Sequence, residues 1–225
     1  QIGCAVGGPA RTLAENFGVW VTGYDTSQTL IDTGNKLSQM KGMSSKVNLH
    51  CYDPEKPIDF KRNFDRVFSK EATFTIPDKR ELFNALFQNL KAEGLLLMTD
   101  FVLINENASI KPEFQAWKEN EPQKPYLNTP EETVDLLTKA GFSVRVQEDI
   151  STKYVEHISQ AWIGADKVIA ELMEQDNGPQ LIDTLLKEAE FWTRRSKLLK
   201  AGDIQVWRFL GYKKNDPNAK MMSNW

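Results

Sequence analysis

Cysteine and histidine are scarce in this chain, with two of each in 225 residues. Cys4 and Cys51 stand far apart, no C-x-x-C pair occurs, and no cysteine clusters with a histidine. A disulfide framework and a structural zinc site are both argued against, no metal is expected, and the thiols read as reduced, as in a cytoplasmic protein. Long apolar runs are missing too. The longest, residues 94–98, is far too short to span a bilayer, and no signal peptide is visible. Nor is there an excess of one charge: 28 basic and 31 acidic residues are interspersed, for a formal net charge of -3. That balance gives no electrostatic reason to expect a nucleic-acid partner. Internal repeats and low-complexity tracts are also lacking. What remains is an ordinary globular composition, 40% hydrophobic and 26% charged, long enough for one well-buried domain.

Strand and helix signals alternate along the chain, the pattern of βαβ units on a mainly parallel sheet. A helix is expected over 10–17, then a β-branched and aromatic strand ending at Asp25. Thr26 and Ser27 can cap a helix over 28–40, which Gly42 stops. Residues 47–51 and 64–68 read as strands. Asp78 opens an amphipathic helix carrying Leu82, Phe83, Leu86, Phe87 and Leu90; residues 91–94 end it and feed a strand over 95–102. The polar, proline-bearing stretch 105–128 reads as an irregular loop. A helix over 130–140 and a strand over 142–146 follow. Residues 151–200 break the alternation with two apolar-periodic stretches, 158–173 and 180–199, before a final strand over 204–212. The expectation is an α/β fold with residues 1–225 as one domain and 151–200 as a helical lid. The chain opens on the last residues of a strand, so an upstream segment completing that strand is expected.

Gly3, Cys4, Ala5, Val6, Gly7, Gly8, Pro9, Ala10 and Arg11 form the strongest local signal. Glycines after a strand permit a tight turn and close ligand approach, and the next helix aims its N-terminal amides at that ligand. Asp25 lies about 20 residues on, at the end of the next strand, where a carboxylate can accept bonds from ribose hydroxyls. The plain alternatives are a simple strand–helix turn and a helix-capping aspartate.

This run resembles motif I of class I S-adenosylmethionine-dependent methyltransferases. Its Gly-Gly-Pro-Ala-Arg ending resembles the branch holding sterol, tocopherol and phosphoethanolamine-type methyltransferases. Further matches follow in order: residues 21–27, Asp53, residues 64–67, Glu71-Ala72-Thr73 with Pro77-Asp78-Lys79, residues 90–94, and Ala140-Gly141-Phe142. The resemblance implies a Rossmann-like, mostly parallel seven-stranded sheet with an antiparallel last strand and a helical insertion before it. It implies S-adenosylmethionine as cofactor and a small-molecule acceptor: lipid-like, isoprenoid or amine. Gly3 and Gly7 would frame the methionine part and Asp25 would hold the ribose, with Gln1, Cys4, Ala5 and Thr26 as further cofactor-binding residues. Tyr52 and Asp53 would attend the adenine, Ser69 and Lys70 would line the cofactor near the sulfonium, and Glu71 would act as base or cation stabiliser. His157, Trp162 and Trp192 of the lid would contact substrate. The plainer readings are a turn-initiating Asp53, a solvated Lys70, a structural Glu71, a surface His157 and an insertion core for the tryptophans. Arg194, Arg195 and Lys197 read as a solvated helix face. Homo-oligomerisation is left open.

The sequence departs from the family pattern at Gln1, where motif I usually has an acid, at Ala5 in place of the central glycine, and at Thr75 in place of a histidine. These departures define an alternative, a catalytically impaired homologue acting as a ligand- or protein-binding module. A nicotinamide-dependent dehydrogenase is a weaker third reading, because G-x-G-x-x-G spacing is lacking.

Overall fold

The computed structural model describes residues 1–54, 56–60 and 63–215; the expected domain end at 225 lies outside them. The chain divides into two compact units. Of the described residues, the first holds those in 1–100, 131–148 and 208–215, and the second those in 101–130 and 149–207.

In the first unit the glycine turn leads into α1 (Gly8–Phe17). Left-handed Gly7 precedes this helix, Pro9 sits in its first turn, and left-handed Gly18 ends it by donating its N–H to the Ala14 carbonyl. Strand β1 (Val21–Asp25) pairs in parallel with β2 (Val47–Cys51), and α2 (Gln28–Met40) connects them. The Ser27 hydroxyl caps α2 by accepting from the Leu30 N–H. β3 (Phe64–Lys70) pairs in parallel with β4 (Leu90–Val102), joined by α3 (Lys79–Gln88), which Asp78 caps through the Glu81 N–H. Helix α5 (Pro130–Lys139) and strand β5 (Ser143–Asp149) follow, and the last strand is β6 (Gln205–Tyr212).

Two strand groups, β1–β2 and β3–β4–β6–β5, are joined by one residue: Ile2 bridges Tyr24 of β1 and Ser69 of β3, both in parallel. The spatial order is therefore β2–β1–Ile2–β3–β4–β6–β5. Among the described residues six strands stand where seven were expected, and Ile2 bridges the place of the first strand between β1 and β3. Glu93 and Gly94 at the start of β4 exchange bonds with Lys213 just past β6, while Ile150 just past β5 donates to Val206 near the start of β6. The last strand thus runs antiparallel to both neighbours.

Strand β4 starts earlier than its sequence suggested. Asn89 ends α3, and Leu90, 1% exposed, is already a core strand residue. The polar residues before Gly94 form an irregularity: Glu93 takes φ 61, and the register with β3 jumps from Leu90 to Leu95.

The second unit also corrects the reading of 105–128 as irregular. A 3-10 turn (Glu106–Ile110) and α4 (Pro112–Asn120) lie there. Pro112 starts the helix, and Phe114 and Trp117, spaced three apart, are buried together. Three helices fill the expected insertion: α6 (Ser151–Ala161), α7 (Ala165–Met173) and α8 (Gly178–Ala201). Left-handed Gly164 separates the first two. Arg195 is not on a solvated face. It is 8% exposed, makes a two-pronged contact with Glu121 at 2.7 Å per bond, and lies over the Phe191 ring at 4.1 Å. Among the described residues no helix is long and apolar enough to cross a membrane.

Candidate functional site

Three left-handed residues shape the turn after Ile2: Gly3 (φ 66), Ala5 (φ 45) and Gly7 (φ 74). At Gly3 the need for glycine is steric as well, since a Cβ there would stand 2.1 Å from the Ala72 Cβ. The glycine turn and the loop after β3 are therefore in direct contact.

Asp25 ends β1 beside this turn. Its Oδ2 accepts the Ala5 N–H at 2.8 Å and its Oδ1 accepts the Ser27 N–H at 3.1 Å. The side chain is largely buried, yet each oxygen takes only one backbone donor and keeps lone pairs for a ligand hydroxyl. Tyr52 follows β2, and its N–H donates to the Asp25 carbonyl at 3.0 Å. Burial, and then the Asp25 charge, push the Tyr52 phenol up to about 12. Tyr52 also lines a cleft of about 230 Å³ with Pro54, Ile58, Ile76 and Leu82. Asp53 is more exposed and pairs with Lys56 at 2.8 Å. Half-buried Thr26 offers its carbonyl to the Cys51 thiol at 3.5 Å.

After β3, Ser69 is fully buried with its hydroxyl donating to the Ile2 carbonyl at 3.3 Å. Lys70 is exposed, 3.9 Å from a Glu71 oxygen. Glu71 holds φ 42, donates its N–H to the Thr99 carbonyl, and accepts the Thr99 hydroxyl at 2.5 Å. A non-glycine residue in this conformation is strained, and strain of this kind concentrates at functional sites. Gln1 reaches the Gly3 carbonyl with its amide nitrogen at 3.5 Å, while its amide oxygen is buried without a partner. The Cys4 side chain packs into the core with Ala10, Ile31 and Val47, and burial pushes its thiol up to about 12. Only the backbone of Cys4 belongs to the turn.

The first unit thus gathers Gln1, Gly3, Ala5, Gly7, Asp25, Tyr52 and Glu71 around one bend. The three lid residues belong to the second unit. Trp192 packs on Phe191 and Arg195 and donates to Glu188, Trp162 ends α6, and His157 is exposed on α6.

Three buried polar residues escaped the sequence reading. Arg11 is 9% exposed beneath the turn. Lys79, in the first turn of α3, is buried, which pulls its ammonium down to about 8 against the opposing pull of Asp100 and Glu132. Asp100, near the end of β4, accepts the Thr73 hydroxyl. A charged residue at a helix start or strand end reads as solvated, and no local pattern marks these three as interior.

A family model described as a methyltransferase domain matches residues 1–183. The chain is 28% identical over 160 residues to a sterol 24-C-methyltransferase of Yarrowia lipolytica, covering 69% of this chain and 42% of that protein. It is 26% identical over 214 residues to a phosphoethanolamine N-methyltransferase of Triticum aestivum, covering 95% and 40%. The chain thus spans well under half the length of these curated relatives. Among solved structures, phosphoethanolamine N-methyltransferase 2 of Haemonchus contortus, in complex with S-adenosyl-L-methionine, superposes with a TM-score of 0.76 at 22% identity, over 95% of this chain and 48% of that one. The fold is shared with that protein, and a glycine bend tied to a strand-end carboxylate lies within the matched segment: the chain belongs to the methyltransferase domain family.

Proposed function

We propose that this chain binds S-adenosylmethionine at the bend of residues 3–7 and transfers its methyl group to a small-molecule acceptor by in-line displacement. The carrying observation is the 2.8 Å bond from the Ala5 N–H to Asp25 Oδ2, which puts the turn and the ribose-type carboxylate in one place. Ala5 adopts the left-handed backbone a glycine would take there, so the substitution leaves the turn's shape intact and favours a working site over an impaired one. The orphaned Gln1 oxygen suits an ammonium donor, without the charge that an acid at that position would add. The cleft beside Tyr52 suits a flat heterocycle.

S-adenosylmethionine supplies an already activated methyl group, so the protein contributes alignment, exclusion of water and, where the acceptor needs it, removal of a proton. In this reading Asp25 anchors the ribose through both oxygens, and Tyr52 and Ile76 flank the adenine. Glu71, its carboxylate held by Thr99, receives a proton or steadies a cation on the acceptor. The acceptor is a lipid-like, isoprenoid or amine compound, and sterol and phosphoethanolamine chemistries are the first to try. The protein acts in the cytoplasm, with Cys4 and Cys51 as free thiols, and has no nucleic-acid partner. Calorimetric titration with S-adenosylmethionine and S-adenosylhomocysteine tests the reading. Asp25→Asn replaces one acceptor oxygen with a donor and should weaken both ligands at least tenfold, since charge-assisted bonds are worth about 1.5–3 kcal/mol each. A parent chain that binds neither ligand, or an Asp25→Asn variant that binds like the parent, overturns it.

A further inference from the structure

The cofactor reading gives Arg11 no task, yet its guanidinium is buried directly under the turn. Its Nη1 donates to the Val6 carbonyl at 2.7 Å, and approaches the Gly34 carbonyl at 3.2 Å and the Ser38 hydroxyl at 3.3 Å, both on α2. Among the described residues no carboxylate pairs with it. Its charge is directed at carbonyl and hydroxyl oxygens, so it does not serve as half of an ion pair.

The surroundings are built for this contact. Val6 lies between two left-handed residues, Ala5 and Gly7, and the Gly7 N–H closes back on the Cys4 carbonyl at 2.8 Å. Gly34 stands mid-helix in α2, where glycine is a poor helix former. A Cβ there would lie 2.9 Å from the Val6 carbonyl oxygen, so its missing side chain is what lets α2 close on the turn. At Gly7 a Cβ would come 3.1 Å from Arg11 Nη1 and 2.7 Å from Leu49 Cδ1. Arg11 thus ties the carbonyl of Val6, a residue with left-handed backbone on both sides, to helix α2.

We propose that Arg11 is a positioning residue for the cofactor turn: by tying the Val6 carbonyl to α2 it keeps Ala5 left-handed, with its N–H on Asp25. This rests on the cofactor reading but acts in the free protein as well. An alanine at φ 45 leaves that conformation readily once nothing holds the next peptide, whereas glycine stays at little penalty. The effect of losing Arg11 must therefore depend on the residue at position 5.

The experiment compares Arg11→Met and Arg11→Lys, each alone and combined with Ala5→Gly. Three readouts are taken: S-adenosylhomocysteine affinity by calorimetry, thermal melting, and amide exchange at Ala5 and Gly7 without ligand. Arg11→Met is expected to weaken binding about tenfold and speed Ala5 exchange, and in the Ala5→Gly background the loss should shrink to about threefold or less, a coupling typical of residues linked through a shared backbone shift. Arg11→Lys keeps the charge and stem but not the planar fork, and should fall between; it carries the comparison if Arg11→Met does not fold. A lower melting temperature with unchanged affinity and unchanged Ala5 exchange overturns the proposal, as does an equal loss in both backgrounds. If the parent chain binds no S-adenosylhomocysteine, the cofactor reading fails instead, and the exchange rates still decide whether Arg11 holds the turn.

Discussion

Replacing Ala5 with glycine should stabilise the protein, although glycine usually does the opposite. Ala5 sits at φ 45 with its side chain on the exposed surface of the turn, so its methyl group contributes no burial. A left-handed conformation costs a non-glycine residue about 1–2 kcal/mol. Glycine removes that strain but loses roughly 0.5–1 kcal/mol through the greater freedom of the unfolded chain. The balance favours Ala5→Gly by about 0.5–1 kcal/mol, a rise of roughly 1–4 °C in melting temperature for a chain of this length. Ala14→Gly makes the same chemical change inside α1, where Ala14 is 1% exposed. There glycine forfeits about 1 kcal/mol of helix propensity and about 0.8 kcal/mol of methyl burial, with no strain to relieve. Both variants are melted in urea, so that midpoint and slope are read together. Opposite signs are expected. If Ala5→Gly destabilises the chain as Ala14→Gly does, the left-handed backbone at position 5 is not a source of strain and Arg11 holds no strained residue in place.

Other outcomes follow from the same structure. Glu121→Gln removes the charge that Arg195 grips with two bonds and should cost about 3–5 kcal/mol; urea denaturation decides, and a loss below about 1 kcal/mol would show that solvent already reaches the pair. The Lys79 ammonium is lowered from 10.5 to about 8 mainly by burial. Between those pH values the unfolded chain holds a proton the folded chain has shed, so folding stability rises with pH there. The parent should gain stability relative to Lys79→Met from pH 8 to pH 10, and parallel denaturation midpoints would falsify this. Glu71→Gln preserves an acceptor for the Thr99 hydroxyl. It should leave S-adenosylhomocysteine affinity within about twofold while lowering kcat at least tenfold, the low end for loss of acid–base assistance; an unchanged kcat would assign Glu71 to turn geometry alone.

How much of this was legible in the sequence follows from the range of the signals. Helix α2 was readable to its ends because Ser27 caps it and Gly42 stops it, and β2 because its limits are set by neighbours in the chain. The bend at 3–7 and the acid at 25 were readable because glycine conformation and strand-end position are local properties. The buried states of Arg11, Lys79 and Arg195 were not. Arg195 depends on Glu121, 74 positions away, Arg11 on Ser38, 27 away, and Lys79 on the packing that buries it near the charges of Asp100 and Glu132. Helix α4 was hidden because its burial rests on two aromatic side chains in a polar run. The early start of β4 was hidden because the Glu93 irregularity is settled by pairing with Lys213. Backbone preference and capping are written residue by residue, but a charge is placed inside only when folding brings a distant acceptor close enough to replace water.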